Sequence, residues 1–284
     1  MADFFSPLTK AGRLRQQAYS LYQEHVASGA IPTSNRFLFY ELVQRGVISK
    51  SRTPTRPGAK GRRPDQDLIE ALKDLRDVGL IPWAAIVDET RTVEVPWTRS
   101  TVVDWLRDVL KSDQPMLDPW PDGWPLVLTE SRSLAGVLRA MLRNYRVGFA
   151  ATNGQVGGFL HTDIAPLLEP DNTVLYLGDL DLAGGDIEAN TRRVLEQKVG
   201  RLAWERLALT QAQVTQYNVP PNPKVDGRFS GGRGAHLAYE TEALSQQVIV
   251  QLVQDRLDAL LPEPLQEALD RERQEKDEQH DRLA

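Results

Sequence analysis

Residues 173–187 read TVLYLGDLDLAGGDI. The opening run TVLYL is apolar, β-branched and aromatic, the composition of a buried strand. AGGDI then opens a helical pattern. Between them stand Asp179 and Asp181, two residues apart. On an extended chain that spacing points both carboxylates to one face and turns Leu180 into packing. Open parallel α/β sheets bind ligands beyond the carboxyl ends of their strands, so this turn falls where chemistry is expected.

The flanking sequence alternates in the same way. PLVLTE (125–130) reads as a short strand closed by Glu130, SLAGVLRAMLRNY (133–145) as a helix, and VGFAATNG (147–154) as a strand. FLHTDIAPLL (159–168) reads as a helix, GGDIEANTRRVLEQKV (184–199) as another, and RLAWERLAL (201–209) as a strand. Such alternation predicts an α/β, mostly parallel sheet with right-handed crossovers. Glu130, Asp179 and Asp181 are then three acids at strand ends. Gathering them costs repulsion that a hard divalent ion relieves, and that ion could contact phosphate oxygens. The bland alternative is a surface strand end, the usual meaning of a lone Asp-x-Asp.

Upstream, residues 8–29, RFLFYELVQR (36–45) and 64–78 read as helices, with Thr33, Ser34 and Asn35 as N-cap candidates. LIPWAAIVDETRTVEVPW (80–97) reads as two strands about a turn at Asp88–Thr90. Three helices and a hairpin follow the order of a winged helix-turn-helix. After a helix at 100–111, the Pro/Asp/Gly-rich run KSDQPMLDPWPDGWP marks a boundary. The expected division is a winged-helix domain over 1–112, an α/β domain with a C-terminal extension over 113–264, and an acidic helical or disordered tail over 265–284.

Of 284 residues, 41% are hydrophobic and 26% charged, which suits folded domains rather than disorder. No apolar run approaches the ~20 residues of a membrane span. MADFFSPLTKAGRLRQQAY lacks the order of a secretory signal, so a cytoplasmic, nucleoid-associated location is expected. The absence of cysteine excludes disulfides and thiolate metal sites. His25, His161, His236 and His280 show no ligand spacing, and His161 reads as a surface or helix-facing residue. The net charge of −5 runs against nucleic-acid binding. Local charge differs: KSRTPTRPGAKGRR (50–63) carries Lys50, Arg52, Arg56, Lys60, Arg62 and Arg63 with no acid. That stretch is either a phosphate-contacting element or a solvated linker.

Thr129-Glu130 before a helix, Asn153-Gly154, and GDLDLAGGDI (178–187) resemble the Toprim pattern. More particularly, Asp179-Leu180-Asp181-Leu182-Ala183-Gly184, RLALTQAQVTQYNVPPNPKVDGR (206–228) and Glu240-Thr241-Glu242-Ala243-Leu244 resemble the A subunit of topoisomerase VI and the related meiotic double-strand-break protein. Asp226 stands one residue closer to Lys224 than that pattern has it. The resemblance covers most of 125–250 and suggests a compact stand-alone version, although 41–124 follows it poorly. It implies a Toprim domain binding Mg²⁺ through Glu130, Asp179 and Asp181. Arg36-Phe37-Leu38-Phe39-Tyr40 resembles the family's cleavage motif, which makes Tyr40 the expected nucleophile forming a 5′-phosphotyrosyl link, assisted by Arg36. The same resemblance implies double-stranded DNA as substrate, a homodimer, and possibly a separate ATPase subunit, since no GxxxxGK[ST] occurs.

Other readings stay open. Tyr40 can be a partly buried aromatic of an apolar helix. Lys224 and Arg228 can bind DNA or pair with acids, and Glu242 can support the site from behind or be an ordinary helix residue. As a whole, the chain can instead be a Toprim nuclease that activates water, or a non-catalytic DNA-binding regulator.

Overall fold

The computed structural model describes residues 4–50, 63–87, 97–152, 157–225 and 235–283. The expected turn at Asp88–Thr90 and the strand after it lie outside these residues. So do Arg52, Arg56, Lys60, Arg62 and Arg228, and the side chain of Lys224.

α1 (Lys10–Ala27) starts where the Thr9 side chain accepts the Gly12 N–H. β1 (Thr33–Ser34) leads directly into α2 (Asn35–Gln44), capped by Ser34 accepting from Phe37 N–H. α3 (Gln66–Asp77) follows, then β2 (Ile86–Val87), which pairs in parallel with β1. This parallel pairing is not what a hairpin reading anticipates. A short 3₁₀ turn, Trp83–Ala85, delivers the chain into β2. The three helices bury one apolar cluster, with Leu14, Leu21, Leu38, Leu42, Leu68, Leu72 and Leu75 at its centre. α4 (Val102–Lys111) follows.

β3 (Leu126–Thr129), α5 (Arg132–Tyr145), β4 (Gly148–Ala151) and a short α6 (Gly157–Phe159) begin the α/β unit. Instead of the regular helix expected over 159–168, α6 passes into a π turn at Leu160–Ile164 and a 3₁₀ turn at Ala165–Leu167. Pro166 lacks an amide hydrogen and cannot continue a regular helix. β5 (Thr173–Leu177), α7 (Leu182–Val199) and β6 (Ala203–Ala208) complete a four-stranded, all-parallel sheet of order β4-β3-β5-β6. α8 (Gln211–Gln216), the antiparallel pair β7 (Asn222–Val225) and β8 (Ala235–Ala238), α9 (Gln246–Leu260) and α10 (Leu265–Leu283) end the chain. None of the helices, among the described residues, is long and apolar enough to cross a membrane.

The sheet is buried on both faces, and strand alternation sorts its side chains. Val127, Leu175 and Leu177 face α5 and α9. Leu126, Leu128, Val174 and Tyr176 face Val194 and Leu195 of α7 and Leu160 of the π turn. α2 belongs to two interiors: Leu38 and Leu42 enter the helical cluster, while Phe37 and Tyr40 enter the one beneath the sheet. The final helix is ordered through Leu283 and packs along α4.

Glu272 fastens α10 down. Its Oε2 accepts the backbone N–H of Met116 at 3.0 Å and of Leu117 at 2.9 Å, and it pairs with Arg146 and Lys276. The boundary run at 112–117 is therefore pinned to the helix that follows the α/β unit.

Candidate carboxylate site at the sheet edge

Strand order reverses between β3 and β5. The chain leaves β3 for β4 on one side and returns past β3 to β5 on the other. α5 covers one face, while α7 and the π turn cover the other. A crevice forms at the carboxyl ends of such a pair. Glu130 lies one residue beyond β3, and Asp179 two residues beyond β5. The two meet: the Asp179 backbone N–H donates to Glu130 Oε2 at 3.1 Å.

The Asp179–Asp181 turn is not the straight strand end that the spacing suggested. β5 ends at Leu177, and Leu180 forms an isolated antiparallel bridge with Tyr239. Asp181 is the N-cap of α7, its Oδ1 accepting the Gly184 N–H at 2.7 Å. A Cβ on Gly184 would stand 2.3 Å from the Asp179 carbonyl oxygen. The Asp-x-Asp-x-x-Gly spacing thus has a local structural purpose: the last residue must be small for α7 to start this close to the turn. Arg206 clamps the same turn, donating to the carbonyls of Gly178 at 2.9 Å and Asp179 at 2.6 Å while paired with Glu188.

A distant segment completes the acid cluster. Thr241 donates its N–H (2.9 Å) and its hydroxyl (3.3 Å) to Asp179 Oδ1. Glu242, beside it, is 1% exposed. Arg36 forks onto that glutamate from α2, with Nε 3.0 Å from Oε1 and Nη2 3.4 Å from Oε2. Glu240 stands 3.6 Å from the same guanidinium. Glu242 therefore is no ordinary helix residue: it links α2 to the sheet edge. Sequence reading placed Arg36 beside Tyr40, but its charge goes to the acids, and the guanidinium lies 6.0 Å from the Tyr40 ring centre.

The electrostatics are those of an under-neutralised cluster. Burial, then the neighbouring Asp179, raises the Glu130 pKa, and Asp181 and Glu242 add to it. Burial raises Glu242 as well; Arg36 opposes the shift and Asp179 reinforces it. Glu240 is raised by burial against the pull of Arg36. Burial pulls the Arg36 pKa down, but Glu242, Glu240, Asp179 and Glu130 together hold it above an ordinary arginine. Under the turn, the Tyr176 hydroxyl is buried without a hydrogen-bond partner. Burial pushes its pKa up, with Glu130 and Glu188 contributing. A buried orphan hydroxyl beside carboxylates is an acceptor or donor waiting for a water or ligand.

Tyr40 is 7% exposed and packs in the core. It also lines a cavity of about 340 Å³ with Asn35, Arg36, Phe39, Lys50, Pro64, Asp65 and Glu240. Lys50 Nζ sits 4.5 Å above the Tyr40 ring. Arg63 pairs instead with Asp65 at 3.2 Å. Among the described residues, no three acids or histidines stand close enough to form a ready-made metal cage. The donor set itself is all carboxylate and short of positive charge, which is the chemistry a hard divalent cation fits.

Comparison with family models, with curated proteins and with solved structures gives no match to this chain.

Proposed function

We propose that the chain is a divalent-cation-dependent enzyme of the Toprim class that cleaves DNA phosphodiesters. Within that class, we read it as a compact relative of the topoisomerase VI A subunit. The observation that carries this is the meeting of Glu130, Asp179, Glu242 and Arg36 at the point where strand order reverses, with Tyr40 one turn along the helix that bears Arg36. Glu130, Asp179 and Asp181 would hold Mg²⁺, which would supply charge neutralisation at a phosphate when bound.

The chain's own groups carry the remainder. Lys50, above Tyr40, is placed to attract a phosphate into the cavity the tyrosine lines. The Tyr40 oxygen attacks phosphorus and loses its proton. The bond to the 3′ oxygen breaks, that oxygen gains a proton, and a 5′-phosphotyrosyl link remains. Double-stranded DNA is the proposed substrate. A second copy of the chain and a separate ATPase remain part of the family-based proposal.

A second reading has its own support. The 7% exposure of Tyr40 favours a nuclease in which water attacks and the tyrosine is packing. Supercoiled plasmid incubated with the protein and Mg²⁺, then stopped with SDS, separates the two. Tyrosine chemistry predicts DNA retained on protein until protease is added, and loss of that retention in Tyr40→Phe. Nicking that persists undiminished in Tyr40→Phe assigns the attack to water. Undiminished nicking in Asp179→Asn would overturn both readings.

A further inference from the structure

Five carboxylates belong to the sheet edge: Glu130, Asp179, Asp181, Glu240 and Glu242. Their hydrogen bonds come mainly from neutral groups, namely the N–H groups of Asp179, Thr241 and Gly184 and the hydroxyl of Thr241. Arg206, nearby, gives its guanidinium to the turn carbonyls and Glu188. The guanidinium that faces the acids is Arg36, which arrives from a different interior on α2 and grips Glu242 with two nitrogens. Its side chain remains 47% exposed, so it has room to leave.

We propose that Arg36 is a built-in counter-ion of the carboxylate cluster, in competition with the divalent cation. Cation binding weakens its grip on Glu242 and releases the guanidinium toward the Tyr40 cavity, where it can meet a phosphate. This rests on the reading of the acids as a cation site. Arg36 is here a positioning residue: it holds α2 against the sheet edge when the cation is absent and gives way when the cation arrives. Coupling is reciprocal by linkage, so whatever Arg36 takes from cation affinity, the cation takes from the Arg36–Glu242 contact.

The test uses the full chain stripped of metal and titrated with Mn²⁺ in a calorimeter. Arg36→Gln is expected to bind Mn²⁺ about tenfold more tightly than the parent, within the usual range of site-to-site coupling. Arg36→Lys, which keeps the charge, should stay near the parent. Equal affinity in the parent and Arg36→Gln overturns the counter-ion role and leaves the cation site standing. Absence of Mn²⁺ binding in both overturns the cation site and this proposal with it. Hydrogen exchange on the unmodified chain gives a readout that does not depend on the variant folding. Mn²⁺ should speed exchange of the α2 amides, and unchanged or slowed exchange there overturns the proposal.

Discussion

Glu272 and Glu242 are both buried carboxylates, 6% and 1% exposed, yet their surroundings treat them oppositely. Burial acts to raise the Glu272 pKa but is outweighed by the N–H groups of Leu117 and Met116, by Lys276 and by Arg146, leaving it at about 2. Glu242 has one arginine, a serine hydroxyl and more acids around it, and its pKa is raised. An acid surrounded by donors and cations holds a structure together. An acid crowded by other acids is held by the structure, and its shortage of positive charge is what a cationic ligand can relieve.

The sharpest way to break this comparison is to remove each acid in turn. Glu272→Ala leaves Arg146 and Lys276 buried without their carboxylate and frees two backbone N–H groups. We expect a loss of roughly 3–5 kcal/mol, read from urea unfolding. Glu242→Gln should change stability by less than about 1 kcal/mol, because Arg36 keeps Glu240 and half its exposure to water. Similar losses in the two variants would erase the distinction.

Acid titration sharpens it further. The folded-state pKa of Glu272 is depressed, so its contribution is complete above the ordinary glutamate value near 4.5 and fades as pH falls toward about 2. That contribution amounts to roughly 3 kcal/mol. Glu130, Glu240 and Glu242 have raised values and act in the opposite direction: each favours unfolding while ionised and is relieved as pH falls through its folded pKa. In Glu272→Ala the fall in stability below pH 4.5 should therefore flatten. An unchanged slope would remove Glu272 from the account.

Gly184→Ala gives the smallest effect. Its new methyl would press on the Asp179 carbonyl, costing about 1–3 kcal/mol in thermal stability and lowering Mn²⁺ affinity. Normal stability with weakened cation binding would mean that the turn yields and the acids move.

Much of the α/β unit was legible because strands buried on both faces read as short apolar runs. Leu126–Thr129 and Thr173–Leu177 fall where those runs predict. Regular structure failed where single residues overrode the pattern. Pro166 disrupted the helix expected over 159–168, and Asp181 left the strand to cap α7. The edge positions of Glu130 and Asp179 were readable from the alternation of strands and helices. The Arg36–Glu242 contact was not, because 206 residues separate the partners and neither segment advertises the other. A glutamate followed by Ala-Leu just ahead of the helix at 246 was the available signal. It pointed to Glu242 without indicating what it meets.

Because successive faces of α2 are keyed into different interiors, neither interior can be taken apart without disturbing the other. Cutting the chain near residue 113 would expose Phe37 and Tyr40 on one fragment and leave a vacancy under the sheet of the other. The molecule is therefore expected to melt in a single transition, and to resist being divided into two working halves.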